Sequence, residues 1–344
     1  MSIIHRARAY LGVAPEPPVW PPPRLSLALQ GGGSFGAFAW GVLDRLLEEK
    51  EIAFDAVSGV SAGAVNAVLL ASGLSEGGRA GARTRLASFW KRISVAAARL
   101  PTGMPLGPGL ELVLRTLSPY QFNPFNLNPL REALLAEVNF DALRAHSQVK
   151  LLIGATRVRD GTARIFANEE LTVDAVLASA CLPLLAQAVE LDGEAYWDGG
   201  YAANPPLLPL VRASGADQIL IVQITPTTLE KLPVTAREIA ARIEQIQFNA
   251  TLNSQLEALK MGKLIAPTTK LKRLRIGRIS AQEHFEELAE QSAGNLGWDF
   301  LESLHNSGRA AAELWLKRSL PSAAEGGSGA SSRGCGRTTS TPEA

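Results

Sequence analysis

The segment Phe54-Asp55-Ala56-Val57-Ser58-Gly59-Val60-Ser61-Ala62-Gly63-Ala64-Val65-Asn66-Ala67-Val68-Leu69-Leu70-Ala71 decides how this chain folds. A short apolar run passes through Gly59-Val60-Ser61-Ala62-Gly63 into an alanine- and leucine-rich stretch, which reads as a strand, a sharp turn and a helix. Gly59 and Gly63 remove the side chains that would collide in so tight a turn, and the dipole of the following helix points at the Ser61 hydroxyl.

The same Gly-x-Ser-x-Gly spacing occurs upstream, in Gly32-Gly33-Ser34-Phe35-Gly36, again between a strand-like run (Leu25–Leu29) and a helix-like one. Pattern matching alone does not choose between Ser61 and Ser34. Physical context does. Three consecutive glycines, Gly31 to Gly33, can take backbone conformations closed to other residues and turn successive N–H groups toward one anion at a helix N-terminus. That suits an oxyanion hole and leaves Ser61 as the better nucleophile. A third motif, Asp198-Gly199-Gly200, adds a carboxylate. Taken alone it is an ordinary turn-forming Asp before two glycines. In company with the other two it completes what acyl transfer through a serine needs: a hydroxyl on a tight turn, a proton acceptor, and N–H groups for the oxyanion. No metal or organic cofactor is expected.

These motifs, with Ala178-Ser179-Ala180-Cys181-Leu182-Pro183 and the Asn204-Pro205-Pro206 run after Asp198, resemble bacterial patatin-like phospholipases over roughly residues 24 to 225. The ordered combination is far more specific than any one motif. The resemblance implies a Ser–Asp dyad in which Ser61 is acylated and Asp198 is the base. It further implies that the glycine loop is the oxyanion hole and that no His is catalytic. Gly36, Gly59, Gly63, Gly199 and Gly200 support the motifs. Members of this family often carry Arg or Lys where this chain has Phe35, so here the backbone N–H groups are the expected stabilisers.

Composition narrows the class. The 344 residues are 46% hydrophobic, ample for a large α/β core, and 34 basic against 33 acidic residues leave no charge excess to attract a nucleic acid. Two cysteines, Cys181 and Cys335, fit a reducing compartment better than a disulfide framework, and Cys181 in its apolar run reads as a small core residue. The first residues lack the apolar stretch of a signal peptide, and no uncharged run reaches the roughly 18 residues that span a bilayer. The expected location is the cytoplasm, with membrane contact restricted to a peripheral kind; oligomeric state is not legible.

Along the chain, a Pro-rich extension (1–23) precedes a catalytic domain (24–230), a helical and strand segment packed on it (231–320) and a Gly/Ser/Thr-rich disordered tail (321–344). Strands are expected at 25–30, 54–57, 149–157, 163–166, 195–198 and 218–225. Helices are expected at 36–50, 62–71, 83–100, 127–138, 172–180, 235–261 and 297–316. Residues 101–124, rich in Gly and Pro, read as a surface loop or a cover over an apolar cleft. Alternating strands and helices imply a three-layer α/β/α fold whose mainly parallel sheet carries the site at its strands' C-terminal ends.

The histidines offer a rival arrangement, since ordinary α/β-hydrolases order their triad Ser, Asp, His. His284 and His305 follow Asp198, but the first lies in a charged stretch and the second near a helix end, so surface or capping roles are expected. His5 and His146 have no motif around them. The basic stretch Lys270–Arg278 reads as an edge strand guarded by charge, with anionic lipid contact as the alternative. The chain is thus expected to hydrolyse acyl esters of lipids. An intracellular polyester substrate, or a binding protein with a vestigial dyad, is the alternative.

Overall fold

The computed structural model describes residues 21–99, 117–265, 268–284, 288 and 292–318. Most of the Pro-rich extension, residues 101–116 of the Gly/Pro segment, the tail, His5 and Cys335 lie outside the described residues.

Eight strands form one sheet: β1 (Arg24–Leu29), β2 (Ala53–Gly59), β3 (Lys150–Arg157), β4 (Ala163–Ala167), β5 (Val189–Leu191), β6 (Glu194–Asp198), β7 (Gln218–Gln223) and β8 (Arg275–Ser280). Five of them, in the order β3-β2-β1-β7-β8, run parallel, whereas β4 and β6 pair antiparallel with β3, and β5 with β6. The period of two along β1 distributes its residues to both faces. Leu25, Leu27 and Leu29 join a core built from helices α1 (Gly36–Leu46), α2 (Ala62–Arg99), α3 (Pro129–Glu137), α4 (Phe140–His146) and α5 (Val173–Ser179). Ala28 turns to the other face, under α6 (Leu207–Ala213) and α7 (Ala236–Ile265). After α7 come α8 (Thr269–Arg273), then β8, then α9 (Trp298–Arg318), which packs along α1 and belongs to the first core. The mainly parallel, three-layer arrangement is the one the alternating pattern implies. No described helix is long and apolar enough to cross a membrane.

The topology has one feature that positions the site. On the same edge of β3, β2 occupies the first half, ending with Gly59 opposite Ile153, and β6 occupies the second, ending with Asp198 opposite Ala155. Because β6 is antiparallel, the C-terminal ends of β2 and β6 meet head to head, two residues of β3 apart.

Several details differ from the reading of the sequence. The helical runs at 62–71 and 83–100 are two arms of α2, broken at Gly78 (φ 60°, ψ −152°), and they fold back so that Gly73 lies against Ala82. The basic stretch divides: Thr268 caps α8 by accepting the Leu271 N–H at 3.2 Å, and Arg275 begins the edge strand β8. Lys270 Nζ ties α8 to the end of α6 by donating to the Ser214 carbonyl at 2.6 Å. The helices α4 and α6 and the three-residue β5 were not anticipated, being too short to show a period.

Candidate active site

Ser61 follows β2 directly and has φ 53°, one of three positive-φ residues other than glycine among the described residues. Such backbone is costly for a side-chain-bearing residue and persists only where packing over-determines it. Here it does. A Cβ on Gly59 would lie 2.5 Å from the Gly63 carbonyl oxygen, and one on Gly63 would strike the Leu29 carbonyl of β1. The Ser61 N–H is shared between the carbonyl (3.1 Å) and hydroxyl (3.0 Å) of Ser179, at the end of α5. Gly36 packs against Ala62, and its carbonyl accepts Asn66 Nδ2 at 2.9 Å. Ser61 remains 8% exposed.

Asp198 ends β6 and is 0% exposed. Its N–H donates to the Cys181 carbonyl at 2.7 Å, its carbonyl accepts the Thr156 hydroxyl at 2.7 Å, and Oδ1 accepts the Gly200 N–H at 2.8 Å. Its second oxygen, Oδ2, is buried with no hydrogen bond of ordinary geometry. Burial pushes the carboxyl up to about 7, against the downward pull of the Gly200 N–H and the Ser61 hydroxyl; the charge of Glu244 on α7 adds to the rise. None of the groups acting on it is a cation. Gly199 and Gly200 leave room for neighbours: a Cβ on the first would strike the Gly154 carbonyl of β3, and one on the second would lie 2.6 Å from the Phe248 ring.

The glycine loop lies against the elbow. A Cβ on Gly31 would lie 2.8 Å from the Val60 oxygen and 2.9 Å from Ser61 Cβ. The Gly31 N–H is already committed, donating to Asn204 Oδ1 at 2.6 Å, which leaves Gly32 and Gly33 as the loop's donors for an anion. Gly33 has φ 57° and faces the Ala293 carbonyl, so a side chain there is doubly excluded. Ser34 is turned away into the segment before α9: its N–H donates to Ala293 O at 2.8 Å and its hydroxyl to Ser292 O at 3.3 Å. Phe35 is buried edge-on against Phe300, ring centroids 6.4 Å apart.

Neither described histidine that follows Asp198 acts on it. His305 sits within α9, not near its end, and packs at 3.9 Å on the Trp40 ring with Nε2 3.3 Å from Asp44 Oδ2. His284, in the turn after β8, stacks on Phe38 at 6.5 Å. Cys181 donates its thiol to Gln187 O at 3.1 Å, and burial, reinforced by Asp198, pushes that thiol up to about 11, as befits a core residue rather than a nucleophile.

The sequence reading missed the polar surroundings. Burial, then Glu244, Asp198 and Cys181, push the Tyr201 hydroxyl up to about 12, and burial also raises Glu244. Asn204, read only as part of a turn, reaches the glycine loop; its place beside two prolines hid that reach.

The sequence profile of the patatin-like phospholipases matches residues 27–211, and the chain belongs to that family. Among solved structures it is similar to VipD from Legionella pneumophila, at 15% identity and TM-score 0.45, covering 86% of this chain and 67% of that one. A type III effector, ExoU, is similar at 18% identity and TM-score 0.36, covering 87% of this chain and 53% of that one. ExoU in its heterodimeric complex with SpcU, from the type III secretion system of Pseudomonas aeruginosa, is similar at 20% identity and TM-score 0.35, covering 78% and 59% respectively. The chain thus spans about half to two-thirds of these neighbours. No curated protein matches its sequence significantly.

Proposed function

We propose that this protein hydrolyses carboxylic esters of lipids through an acyl-serine intermediate, with Ser61 as nucleophile and Asp198 as general base. The observation that carries the reading is the meeting of β2 and β6, which sets a serine on a strained elbow beside a buried carboxylate that no cation neutralises. A carboxylate so placed is a far better proton acceptor than one in water.

In the first half-reaction, Asp198 takes the Ser61 proton as Oγ attacks the ester carbonyl. The N–H groups of Gly32 and Gly33 stabilise the tetrahedral oxyanion. Collapse expels the alcohol, which receives the proton from Asp198. Water then attacks the acyl-serine, gives its proton to the same carboxylate, and Ser61 leaves with that proton as the acid departs. Since Asp198 works only when ionised and its carboxyl lies at about 7, turnover rises with pH through that value. The domain expected at 24–230 carries this chemistry, and α7 and α9 beyond it brace it.

Apolar side chains beside the site favour a lipid substrate met at a surface. Leu184 (83% exposed) and Leu185 lie in the loop that follows Cys181, and Phe125 and Leu127 lie in the neighbouring segment, joined to that loop by Gln187 Nε2 donating to Asn123 O at 2.7 Å. Neither 117–129 nor 181–189 contains a charged residue, which suits peripheral contact with a bilayer interface.

The test is labelling with a fluorophosphonate, followed by hydrolysis of a phosphatidylcholine vesicle, a short-chain p-nitrophenyl ester and a polyhydroxyalkanoate by wild type and Ser61→Ala. A Ser61 adduct and phospholipid hydrolysis lost in Ser61→Ala support the proposal. A Ser61 adduct with polyester cleavage alone moves the substrate class, and absence of both adduct and hydrolysis makes the dyad vestigial.

A further inference from the structure

A run of three glycines has more backbone freedom than any other tripeptide, and oxyanion donors help a reaction only when they are held in place beforehand. Something outside the loop must therefore fix it. The side-chain amide of Asn204, wholly buried, grips both polar groups of Gly31: Oδ1 accepts the N–H at 2.6 Å and Nδ2 donates to the carbonyl at 3.3 Å. The Thr225 hydroxyl donates to the same carbonyl at 3.0 Å. One residue upstream, Gln30 Oε1 accepts the N–H groups of Ile224 (2.9 Å) and Thr225 (2.8 Å), and Gln30 Nε2 donates to Asn249 Oδ1 on α7 at 3.1 Å.

Asn204 is itself fixed by α7. Its N–H donates to Thr251 Oγ1 at 3.0 Å. One turn further along the same helix, Gln255 Nε2 donates to Pro205 O at 3.0 Å and Gln255 Oε1 accepts the Leu207 N–H at 2.8 Å. A continuous chain of polar contacts, part-buried at α7 and fully buried at the loop, thus runs from α7, beyond the last residue matched by the family profile, through Asn204 to the loop that lies against Ser61.

We infer that Asn204 is a positioning residue that holds the oxyanion loop, using α7 as its anchor. By taking up the Gly31 N–H it directs the following two N–H groups, those of Gly32 and Gly33, toward the reacting carbonyl. The inference rests on the proposed acyl-serine mechanism for its effect on rate, while the clamp itself can be measured without any substrate.

Two variants in the full chain test it. Asn204→Ala, shown folded by circular dichroism, is expected to lose roughly a hundredfold in kcat on p-nitrophenyl butyrate with KM within about threefold of wild type. Asn204→Asp keeps an acceptor for the Gly31 N–H but, when ionised, loses the donor to its carbonyl and places a negative charge behind the developing oxyanion. That charge acts on the transition state and not on substrate binding, so Asn204→Asp is expected to lose kcat at about pH 9 with KM near that of wild type. Amide hydrogen exchange of a peptide covering residues 30–35 reads the clamp directly and is expected to quicken at least about tenfold in Asn204→Ala. A folded Asn204→Ala protein with wild-type kcat, or one whose loss lies in KM rather than kcat, overturns the positioning role. If wild type neither hydrolyses the ester nor takes up the fluorophosphonate, the proposed function fails instead; unchanged exchange in Asn204→Ala then overturns the clamp separately.

Discussion

Asp198 and Asp44 are both buried aspartates, 0% and 7% exposed, and their surroundings are opposite. Asp44, on α1, accepts Arg83 Nε from α2 at 2.6 Å and Arg309 from α9, with His305 Nε2 at 3.3 Å. Burial raises its pKa, but hydrogen bonds from His305 and Arg83 and the charges of Arg83 and Arg309 outweigh it and hold the carboxyl well below the usual carboxylate range. The Asp198 carboxyl has one backbone N–H, that of Gly200, and the Ser61 hydroxyl, no cation, and is pushed up to about 7. The same side chain is thus a permanent charge joining three helices in one place and an exchangeable proton site in the other. What separates them is the arginines and the histidine around Asp44, together with the more complete burial of Asp198.

The largest expected difference is in turnover. Asp198→Asn keeps shape but removes the proton acceptor, and should lower kcat on an acyl ester by roughly three orders of magnitude or more. Asp44→Asn, measured per folded molecule, should leave kcat within about threefold, since Asp44 touches no reacting group. Equal losses in the two folded variants would erase the distinction.

Stability should change in opposite directions, read by urea unfolding across pH. The folded-state pKa of Asp198 is raised from 3.8 to about 7, so its burial destabilises the native state increasingly as pH climbs through that window. Asp198→Asn should therefore gain a few kcal/mol at about pH 8 and gain nothing near about pH 3, while being inactive. Asp44 has a depressed folded-state pKa, so its contribution is present above the ordinary carboxylate value and lost as pH falls below it. Asp44→Asn should cost about 1–3 kcal/mol near neutral pH, a modest figure because Arg83 and Arg309 reach solvent once released, and the cost should shrink in acid. An Asp198→Asn protein less stable than wild type at about pH 8 would mean that its carboxylate has a partner after all.

The smallest effect sharpens the choice between the two serines. Ser34 makes its one hydroxyl hydrogen bond, at 3.3 Å, to a carbonyl of the segment before α9, so Ser34→Ala should change kcat by no more than about threefold. Assay of the purified variant on p-nitrophenyl butyrate decides it; a hundredfold loss would place Ser34 in the chemistry.

Much of this is legible in the sequence, because its causes are local. Gly59, Ser61 and Gly63 announce an elbow through what their side chains permit within five residues, and the strand and helix runs show their periods over a dozen. The approach of Asp198 to Ser61 is suggested by the ordered motifs and by resemblance but by no local pattern, since it depends on β2 and β6 sharing one edge of β3, a pairing across more than a hundred residues. Asn204 was unreadable for the same reason: its partner, Gly31, is 173 residues away. The partners of His305 are equally illegible: it falls mid-helix within the expected 297–316, but its contact with Trp40 and Asp44 joins residues more than 250 positions apart. Long-range polar partnership, rather than secondary structure, is where the sequence stopped being informative.

The claim that a serine and an aspartate suffice is tested most directly in a protein with no imidazole. The chain has four histidines, His5, His146, His284 and His305, and replacing all four by Gln keeps polarity at the α1–α9 contact. The measurement is the rate at which a fluorophosphonate labels Ser61 in this variant as a function of pH, read by peptide mass spectrometry. With Asp198 as the base, labelling persists at a rate near wild type and still rises through a pH of about 7, where the Asp198 carboxyl ionises. A folded histidine-free protein in which Ser61 is no longer labelled would contradict the dyad and assign the base to a histidine.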